Sequence, residues 1–277
     1  MPDLLILAND DKLAFELEVY AKSKGFRVKL AFNLKTTLEW LELKEFDVLV
    51  VSSGFDLEIQ QDLADHLWQK NYQAALVIFD PAALPDRQQG LARLNGADVA
   101  RGADAWRVLE RILLGVKPRT YVRDQNLKVL VVEDLDSPRD IICAYLEAMG
   151  CAEVVGAASG REALKMLRAD PKHFLCVLTD IRMPQMTGVE LIGLIRDDPE
   201  LQYLPIIVLT AYGTPDYLID CLKAGASGFL VKPPKKKELL REIGRATRIV
   251  VRNIDPRLAA PDDIEMLREA IISRSTR

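Results

Sequence analysis

The chain has 277 residues, of which 49% are hydrophobic and 28% charged, as is typical of a globular protein with one large domain or two ordinary ones. A net charge of −4 argues against a nucleic-acid-binding surface that extends over the whole chain. Two histidines and four cysteines without a C-x-x-C pair give no support to a zinc site or a histidine-based catalytic triad. We expect free buried thiols in a reducing compartment.

The first predicted element is a strand near the N-terminus. The segment MPDLLILANDD has no basic stretch before its apolar run, and that run is too short to span a membrane, so we expect a cytoplasmic protein. Apolar β-rich runs then alternate with helical periodicity, which predicts a parallel sheet with crossover helices. The predicted strands of the first half are Leu4–Ala8, Arg27–Phe32, Phe46–Val51, Ala74–Phe79 and Ala97–Ala100.

The second half repeats this order of elements. Its predicted strands are Lys128–Glu133, Glu153–Ala158, Phe174–Thr179, Pro205–Thr210 and Gly228–Val231. Ser137 and Pro138 suit the N-cap and first residue of the helix that follows the first of these strands. The segment LNGADVA at 94–100 is echoed by KAGASGF at 223–229, and Asp10 is echoed by Asp134 at an offset of 124 residues. The repeat predicts two five-stranded α/β units.

The repeat also predicts where these units begin and end. We expect the first unit at 1–115, a polar linker at 116–126, the second unit at 127–251 and a C-terminal extension at 252–277. The extension contains a predicted terminal helix whose apolar stripe consists of Ile264, Leu267, Ile271 and Ile272. That helix could dock on a neighbouring surface, form a dimer contact, or begin an output domain outside this chain.

Polar side chains follow the strands of the second unit at the points where those strands end. Glu133 and Asp134 follow the first strand, Asp180 the third, Thr210 the fourth and Lys232 the fifth. Ligands bind outside the carboxyl ends of the strands in an open parallel sheet, so we expect these side chains to meet there. Three neighbouring carboxylates resist joint ionisation, and a hard divalent cation removes that cost. The pattern therefore predicts a Mg²⁺ site with room for phosphate oxygens.

The same residue types predict a reaction. A carboxylate can attack phosphorus and form an aspartyl phosphate, and phosphoryl transfer then needs its peripheral oxygens neutralised. Asp180 ends the central strand and is followed by the tight loop IRMPQMTG, so we interpret it as the phosphoacceptor. Lys232 and the Thr210 hydroxyl are the groups that would bind phosphoryl oxygens.

The ordered motifs between about Leu127 and Val251 resemble the receiver domain of two-component response regulators. They are VVED, AASGREALKML, LTDIRMPQMTG, VLTA and GASGFLVKP. The resemblance implies a flavodoxin-like (βα)5 fold for each unit, a five-stranded parallel sheet with helices on both faces.

The resemblance also implies functions for individual residues. Glu133 and Asp134 would be acidic metal-binding residues beside Asp180, and the backbone carbonyl of Arg182 would be a further metal ligand. Thr210 and Phe229 would form the switch pair. The peptide bond between Lys232 and Pro233 would be cis.

Aligned on the same strands, the first unit resembles a degenerate receiver. Asn9 and Asp10 take the place of the acid pair, Ser52 takes that of the phosphoacceptor, and the fifth strand leads to Arg101 with no Lys-Pro pair. A serine cannot replace the carboxylate as metal ligand and nucleophile together. We therefore expect this unit neither to bind Mg²⁺ tightly nor to accept phosphate, but to serve dimerisation, docking or regulation of the second unit.

These features imply a response regulator that a histidine kinase or phosphotransfer protein phosphorylates, and that acts on a downstream protein partner or as a homodimer. An enzyme is not expected beyond assistance to its own phosphotransfer and dephosphorylation. Haloacid dehalogenase-type phosphohydrolases need a second Asp two residues after the nucleophile, where this chain has Arg182. The run Lys235–Lys237 predicts a solvated surface and no nucleic-acid partner. The alternative is a phosphorylation-independent scaffold in which both units are inert.

Overall fold

The structure is a computed structural model that describes residues 1–71, 73–82, 92, 96–116, 127–210, 215–259, 264 and 268. It divides into two compact units, Met1–Tyr121 and Val122–Arg277. Residues 117–126 of the predicted linker lie outside the described residues, as do Leu267, Ile271 and Ile272 of the predicted terminal helix. Within the described ranges, no helix has the length and apolar character needed to cross a membrane.

The first unit contains a five-stranded sheet in which every neighbouring pair is parallel, in the order β2-β1-β3-β4-β5. Its strands are β1 (Asp3–Leu7), β2 (Arg27–Ala31), β3 (Val48–Ser52), β4 (Ala75–Asp80) and β5 (Asp98–Arg101). Its described helices are α1 (Asp11–Ser23), α2 (Leu34–Leu43), α3 (Leu57–Lys70) and α4 (Ala105–Leu114), and a 3-10 turn covers Gly102–Asp104.

Helices cover both faces of this sheet because successive strand residues point to opposite sides. Leu4 and Ile6 belong to a buried cluster that includes residues of α1 and α4. Leu5 and Leu7 belong to a second cluster that includes residues of α2 and α3. The near-continuous apolar sequence of β1 follows from burial on both sides.

A buried carboxylate, that of Asp3, lies at the amino end of β1. Asp3 accepts hydrogen bonds from Lys44 Nζ at 2.5 Å and Arg27 Nη2 at 2.6 Å. Burial raises the pKa of Asp3, but the hydrogen bonds and positive charges of Lys44 and Arg27 outweigh it and hold the pKa below the usual 3.8. The carboxylate therefore joins the start of β1 to the start of β2 and to the end of α2.

The second unit repeats this architecture, with a parallel sheet in the order β10-β9-β8-β6-β7. Its strands are β6 (Lys128–Val132), β7 (Glu153–Ala157), β8 (Cys176–Asp180), β9 (Ile206–Thr210) and β10 (Gly228–Val231). Its helices are α5 (Asp136–Ala148), α6 (Gly160–Ala169), α7 (Gly188–Asp197), α8 (Pro215–Ala224) and α9 (Lys236–Arg252). Counted within each unit, both orders are 2-1-3-4-5, the flavodoxin-like order, which confirms the predicted fold.

The start of α5 differs from its prediction. The helix begins at Asp136, and its N-cap is Leu135, whose side chain accepts no hydrogen bond. Ser137 and Pro138 therefore lie inside the first turn, where proline is tolerated because the first backbone N–H groups have no helical partner. Other helices of this unit do begin at polar caps, such as Ser159, which accepts from Glu162 N.

The cysteines are free, as predicted, but only two of the four are buried. Cys176 and Cys221 lie in the core, and burial raises the pKa of both thiols, to about 12 for Cys221. Cys143 and Cys151 are half-buried, so the expectation of burial was wrong for them. The helical and loop patterns did not reveal which side of the chain each would face.

A buried arginine joins the end of α7 to the loops around it. Arg196 donates to the carbonyl oxygens of Gly225 at 2.9 Å, Gln202 at 3.0 Å and Leu204 at 2.8 Å. It also donates to Ser227 Oγ at 3.2 Å. Burial lowers the pKa of Arg196 to about 10, so its guanidinium is still charged at neutral pH.

Candidate metal centre

Three carboxylates meet at the carboxyl edge of the second sheet. Asp180 ends β8, while Glu133 and Asp134 directly follow the neighbouring strand β6. One carboxylate oxygen from each of the three lies within 4.8 Å of the others. Strand order reverses at β6, since the chain continues from it to β7 on one side and later to β8 on the other. The cluster therefore occupies the switch point where open α/β sheets bind ligands.

Lys232 provides the cation that faces this cluster. Its Nζ forms ion pairs with Glu133 Oε2 and, at 3.2 Å, with Asp180 Oδ2. The backbone N–H of Lys232 donates to Thr210 O at 2.7 Å and so extends the ladder between β9 and β10. The Lys232–Pro233 peptide is cis, as the resemblance implied. Three carboxylates and one ammonium leave two uncompensated negative charges among these four side chains.

The loop after Asp180 folds back against it. Ile181 N donates to Asp180 Oδ1 at 2.8 Å, and Gly188 N donates to Ile181 O at 2.8 Å. A Cβ on Gly188 would lie 2.1 Å from the carbonyl oxygen of Asp180, so only glycine allows this close approach. Thr187 and Glu190 then form a capping box that begins α7. The Asp180 carboxylate is thus fixed by its own loop.

The remaining predicted site residues lie near the same edge or behind it. Thr210 ends β9, whose Leu209 pairs with Asp180 in the sheet register. Phe229 lies half-buried in β10 and packs against the core cluster of this unit. Arg182 is exposed, two residues after Asp180. The individual functions assigned to these residues stay predictions.

The residues of the cluster fit a hard divalent cation. Their donors are carboxylate oxygens, which Mg²⁺ prefers, and Mg²⁺ keeps several waters besides one or two carboxylates. Glu133 is 1% exposed, so its charge is costly to bury without a cation nearby. A divalent ion would balance the two negative charges that Lys232 leaves.

The equivalent edge of the first unit differs by one residue from the alignment made on sequence. In the sheet register, Leu7 of β1 lies opposite Val51, and Val132 of β6 lies opposite Thr179. Leu7 and Val132 are therefore equivalent, and equivalent residues of β1 and β6 are 125 positions apart. Ala8 therefore occupies the position of Glu133, and Asn9 that of Asp134. The predicted pairing of Asp10 with Asp134 was wrong: Asp10 caps α1 and accepts from Leu13 N at 2.7 Å.

Neutral groups occupy the positions of the three acids in the first unit. Ser52 ends β3 as Asp180 ends β8, and its Oγ donates to Asn9 Oδ1 at 3.1 Å. A Cβ on Gly54 would lie 2.2 Å from Asn9 Nδ2, so the glycine makes room for the amide. In the sheet register, Arg101 lies opposite Asp80 as Val231 lies opposite Thr210 in the second unit. The next residue, Gly102, therefore occupies the position of Lys232.

Sequence reasoning missed Arg139, which contacts the acidic loop, the connection of residues 133–135 between β6 and α5. Its Nη1 donates to Glu133 O at 2.8 Å and its Nη2 to Asp136 Oδ1 at 2.5 Å. The side chain is only 17% exposed. The available signal was the spacing of Asp136 and Arg139, which places them on one face of a helix. Nothing in that spacing indicates the bond to the backbone of Glu133.

Comparisons with known proteins give one family. A family model described as the response regulator receiver domain matches residues 129–244, within the second unit. The chemotaxis protein CheY-3 of Vibrio cholerae is 36% identical over 112 residues, which are 40% of this chain and 85% of that protein. The chemotaxis protein CheY of Pseudomonas aeruginosa is 37% identical over 107 residues, which are 39% of this chain and 85% of that protein.

The solved structures include the receiver domain of a sensor histidine kinase from Pseudomonas aeruginosa, described with a magnesium ion in its active site cleft. It is 32% identical, the match covers 43% of this chain and 96% of that one, and the TM-score is 0.40.

Proposed function

The chain belongs to the response regulator receiver family of two-component signalling, and we propose that its second unit accepts a phosphoryl group on Asp180. The observation that carries this proposal is the cluster of Glu133, Asp134 and Asp180 with Lys232 paired to the acceptor carboxylate. Three acids can bind a cation, and the single lysine that faces them can bind an anionic phosphoryl group, so the arrangement is suited to both ligands.

The chain's own residues account for the acceptor's reactivity. The bond from Ile181 N to Oδ1 fixes the rotation of the Asp180 carboxylate. A carboxylate oxygen would attack the phosphorus of the donor and form an acyl phosphate, while the bond from phosphorus to the donor's leaving group breaks and the leaving group keeps the electron pair. Lys232, 3.2 Å from Oδ2, would then pair with a phosphoryl oxygen.

The metal-binding residues of this proposal are the carboxylates of Glu133, Asp134 and Asp180 and the backbone carbonyl of Arg182. Mg²⁺ bound there would neutralise negative charge on the phosphoryl oxygens. The chain supplies oxygen donors on two adjacent strands, and the burial of Glu133 restricts access of water to one of them.

Thr210 and Phe229 are proposed as the switch that reports phosphorylation. The Thr210 hydroxyl would donate to the phosphoryl group, and Phe229 would turn inward into the space that Thr210 leaves. Phe229 lies in β10 and pairs in register with Val208, two residues before Thr210. Such a change biases an element between two states and would alter contacts with a downstream protein.

The first unit is proposed as an inert receiver that serves dimerisation, docking or regulation. Ala8, Asn9 and Ser52 provide no carboxylate at the three positions where the second unit has acids. The hydrogen bond from Ser52 to Asn9 joins the two side chains to each other without a ligand. Phosphoryl donors for the whole protein would be a histidine kinase or a phosphotransfer protein.

The test is the intact mass of the full chain after incubation with Mg²⁺ and acetyl phosphate. We expect one phosphoryl group on the wild type and on Ser52→Ala, and none on Asp180→Asn. Label on Asp180→Asn would overturn the assignment of the acceptor, and two groups on the wild type would overturn the inert first unit. A wild type that takes no label and binds no Mg²⁺ would favour a phosphorylation-independent scaffold.

A further inference from the structure

We infer that Arg139 is a positioning residue for the acidic site, a role that rests on the proposed function of that site. Glu133 and Asp134 lie in the short connection between β6 and α5, which lacks a polar N-cap because Leu135 occupies that position. An uncapped connection leaves its backbone less restrained than a capped one. Glu133 N donates to Ala157 O at 3.1 Å and is held by β7, whereas the peptide after Glu133 lies beyond this ladder.

Arg139 provides an anchor through two hydrogen bonds that diverge from one planar group. Nη1 donates to the backbone oxygen of Glu133 at 2.8 Å, and Nη2 donates to Asp136 Oδ1 at 2.5 Å. The first bond fixes the peptide between the two acids. The second holds a fourth carboxylate, that of Asp136, on the arginine. A forked guanidinium can make both bonds at once, whereas an ammonium acts as a point charge.

The neighbouring edge strand leaves room for this arginine. Gly156 lies in β7, and a Cβ built on it would approach Arg139 Cδ to 3.0 Å and Nε to 3.2 Å. An alanine at this position would force the arginine stem to shift by a few tenths of an ångström. The absence of a side chain at Gly156 on β7 thus gives the Arg139 side chain on α5 the space that it occupies.

Replacement of Arg139 should change cation affinity whether or not the protein is phosphorylated. Outer residues that orient metal ligands typically change metal affinity by ten- to a hundredfold when they are replaced. We expect Arg139→Ala to weaken Mg²⁺ binding to the full chain about tenfold. This is the low end of the range because Arg139 bonds to the backbone oxygen of Glu133 and not to a ligand side chain. Arg139→Lys should weaken it nearly as much, since a lysine cannot make both bonds.

Gly156→Ala tests the same contact while the arginine is retained. We expect it to weaken Mg²⁺ binding severalfold in the wild type and to have no further effect in Arg139→Ala, because the displaced group is then already gone. Such non-additivity is the signature of direct coupling between two positions. Alanine suits a strand better than glycine, so this variant should fold at least as well as the wild type.

The measurement is titration calorimetry of MgCl₂ into each full-length variant, with thermal unfolding as the check on folding. Arg168→Ala is the matched control, because Arg168 also donates to an aspartate, Asp198 at 3.1 Å, but has no contact with the acidic loop in the described hydrogen bonds. It should bind Mg²⁺ as the wild type does.

Three results would overturn the inference: unchanged affinity in Arg139→Ala, full recovery in Arg139→Lys, or additive losses in the double variant. If Arg139→Ala fails to fold, the affinity of Gly156→Ala decides alone. A wild type that binds no Mg²⁺ would instead refute the proposed function, so the two failures are distinguishable.

Discussion

Removal of the Lys232 ammonium should make the stability of the second unit depend on a divalent cation. Lys232→Met keeps an apolar stem of the same length and removes the ammonium group. In the wild type this ammonium contacts Glu133 and Asp180, whose side chains are 1% and 14% exposed. The variant leaves three carboxylates within 4.8 Å of one another with no cation among the four site side chains.

The size of the effect follows from these distances. At an effective dielectric constant of 20, the 3.2 Å contact between Lys232 and Asp180 is an attraction of about 5 kcal/mol, and two carboxylates 4.8 Å apart repel by about 3.5 kcal/mol. Desolvation of the ammonium opposes these values, and breaking a buried pair typically costs about 3–5 kcal/mol. Because Lys232 is 18% exposed and water can enter, we expect a loss of about 2–3 kcal/mol. That corresponds to roughly 5–10 °C for a unit of this size.

Added Mg²⁺ should reverse this loss. At a hundred times its dissociation constant, a ligand that binds only the native state adds about 2.7 kcal/mol. The gain should be larger in Lys232→Met than in the wild type, because no ammonium competes with the metal for the carboxylates. Differential scanning calorimetry of the full chain with and without MgCl₂ measures both quantities.

Lys236→Met is the matched control, since Lys236 is an exposed lysine in the same run of sequence. It should change neither stability nor the response to Mg²⁺. The reasoning fails if Lys232→Met is as stable as the wild type without metal, or if Mg²⁺ stabilises both proteins equally.

Three further changes have expected outcomes. Gly188→Ala should abolish acetyl phosphate labelling by displacing the acceptor loop, whereas Gly193→Ala, where a Cβ meets nothing within 4 Å, should label normally. Arg196→Met should lower the free energy of unfolding in urea by roughly 3 kcal/mol, because buried oxygens lose their donors, and Arg168→Met should not. The pKa of Asp3 lies below its usual 3.8, so its contribution to stability is present above that value and disappears as pH falls through the lower folded value. Asp3→Asn should therefore be less stable at pH 7 and lack that loss in a urea titration repeated at acidic pH.

The sequence was sufficient for the fold and for the composition of the site because both depend on local patterns. Apolar strands that are buried on both faces are continuous runs, and the residues after them reach the same edge whatever the rest of the chain does. This pattern alone was enough to predict that Glu133, Asp134 and Asp180 lie close together. Lys232 could be added because it follows the strand next to β9.

What the sequence did not determine was register and the partners of charged side chains. The sequence alignment matched Asp10 with Asp134 because the residue types agree. The pairing of β1 with β3 instead places Ala8, and not Asn9, beside Ser52, the residue at the position of Asp180. Arg139 looked like any polar residue on an amphipathic helix. Its partner is a backbone oxygen, and a backbone oxygen has no sequence signature.

The two units show why one copy of this site can be lost without loss of the sheet that carries it. In the second unit the edge carries three acids and one ammonium, which leaves a net negative charge among these four side chains. In the first unit Ala8 carries no charge, and Ser52 donates a hydrogen bond to Asn9. Asp10 lies one residue further on and stabilises α1 as its N-cap. Neutral groups at the three positions of the acids need no cation for charge balance, and the Mg²⁺-dependent stability predicted above should therefore belong to the second unit alone.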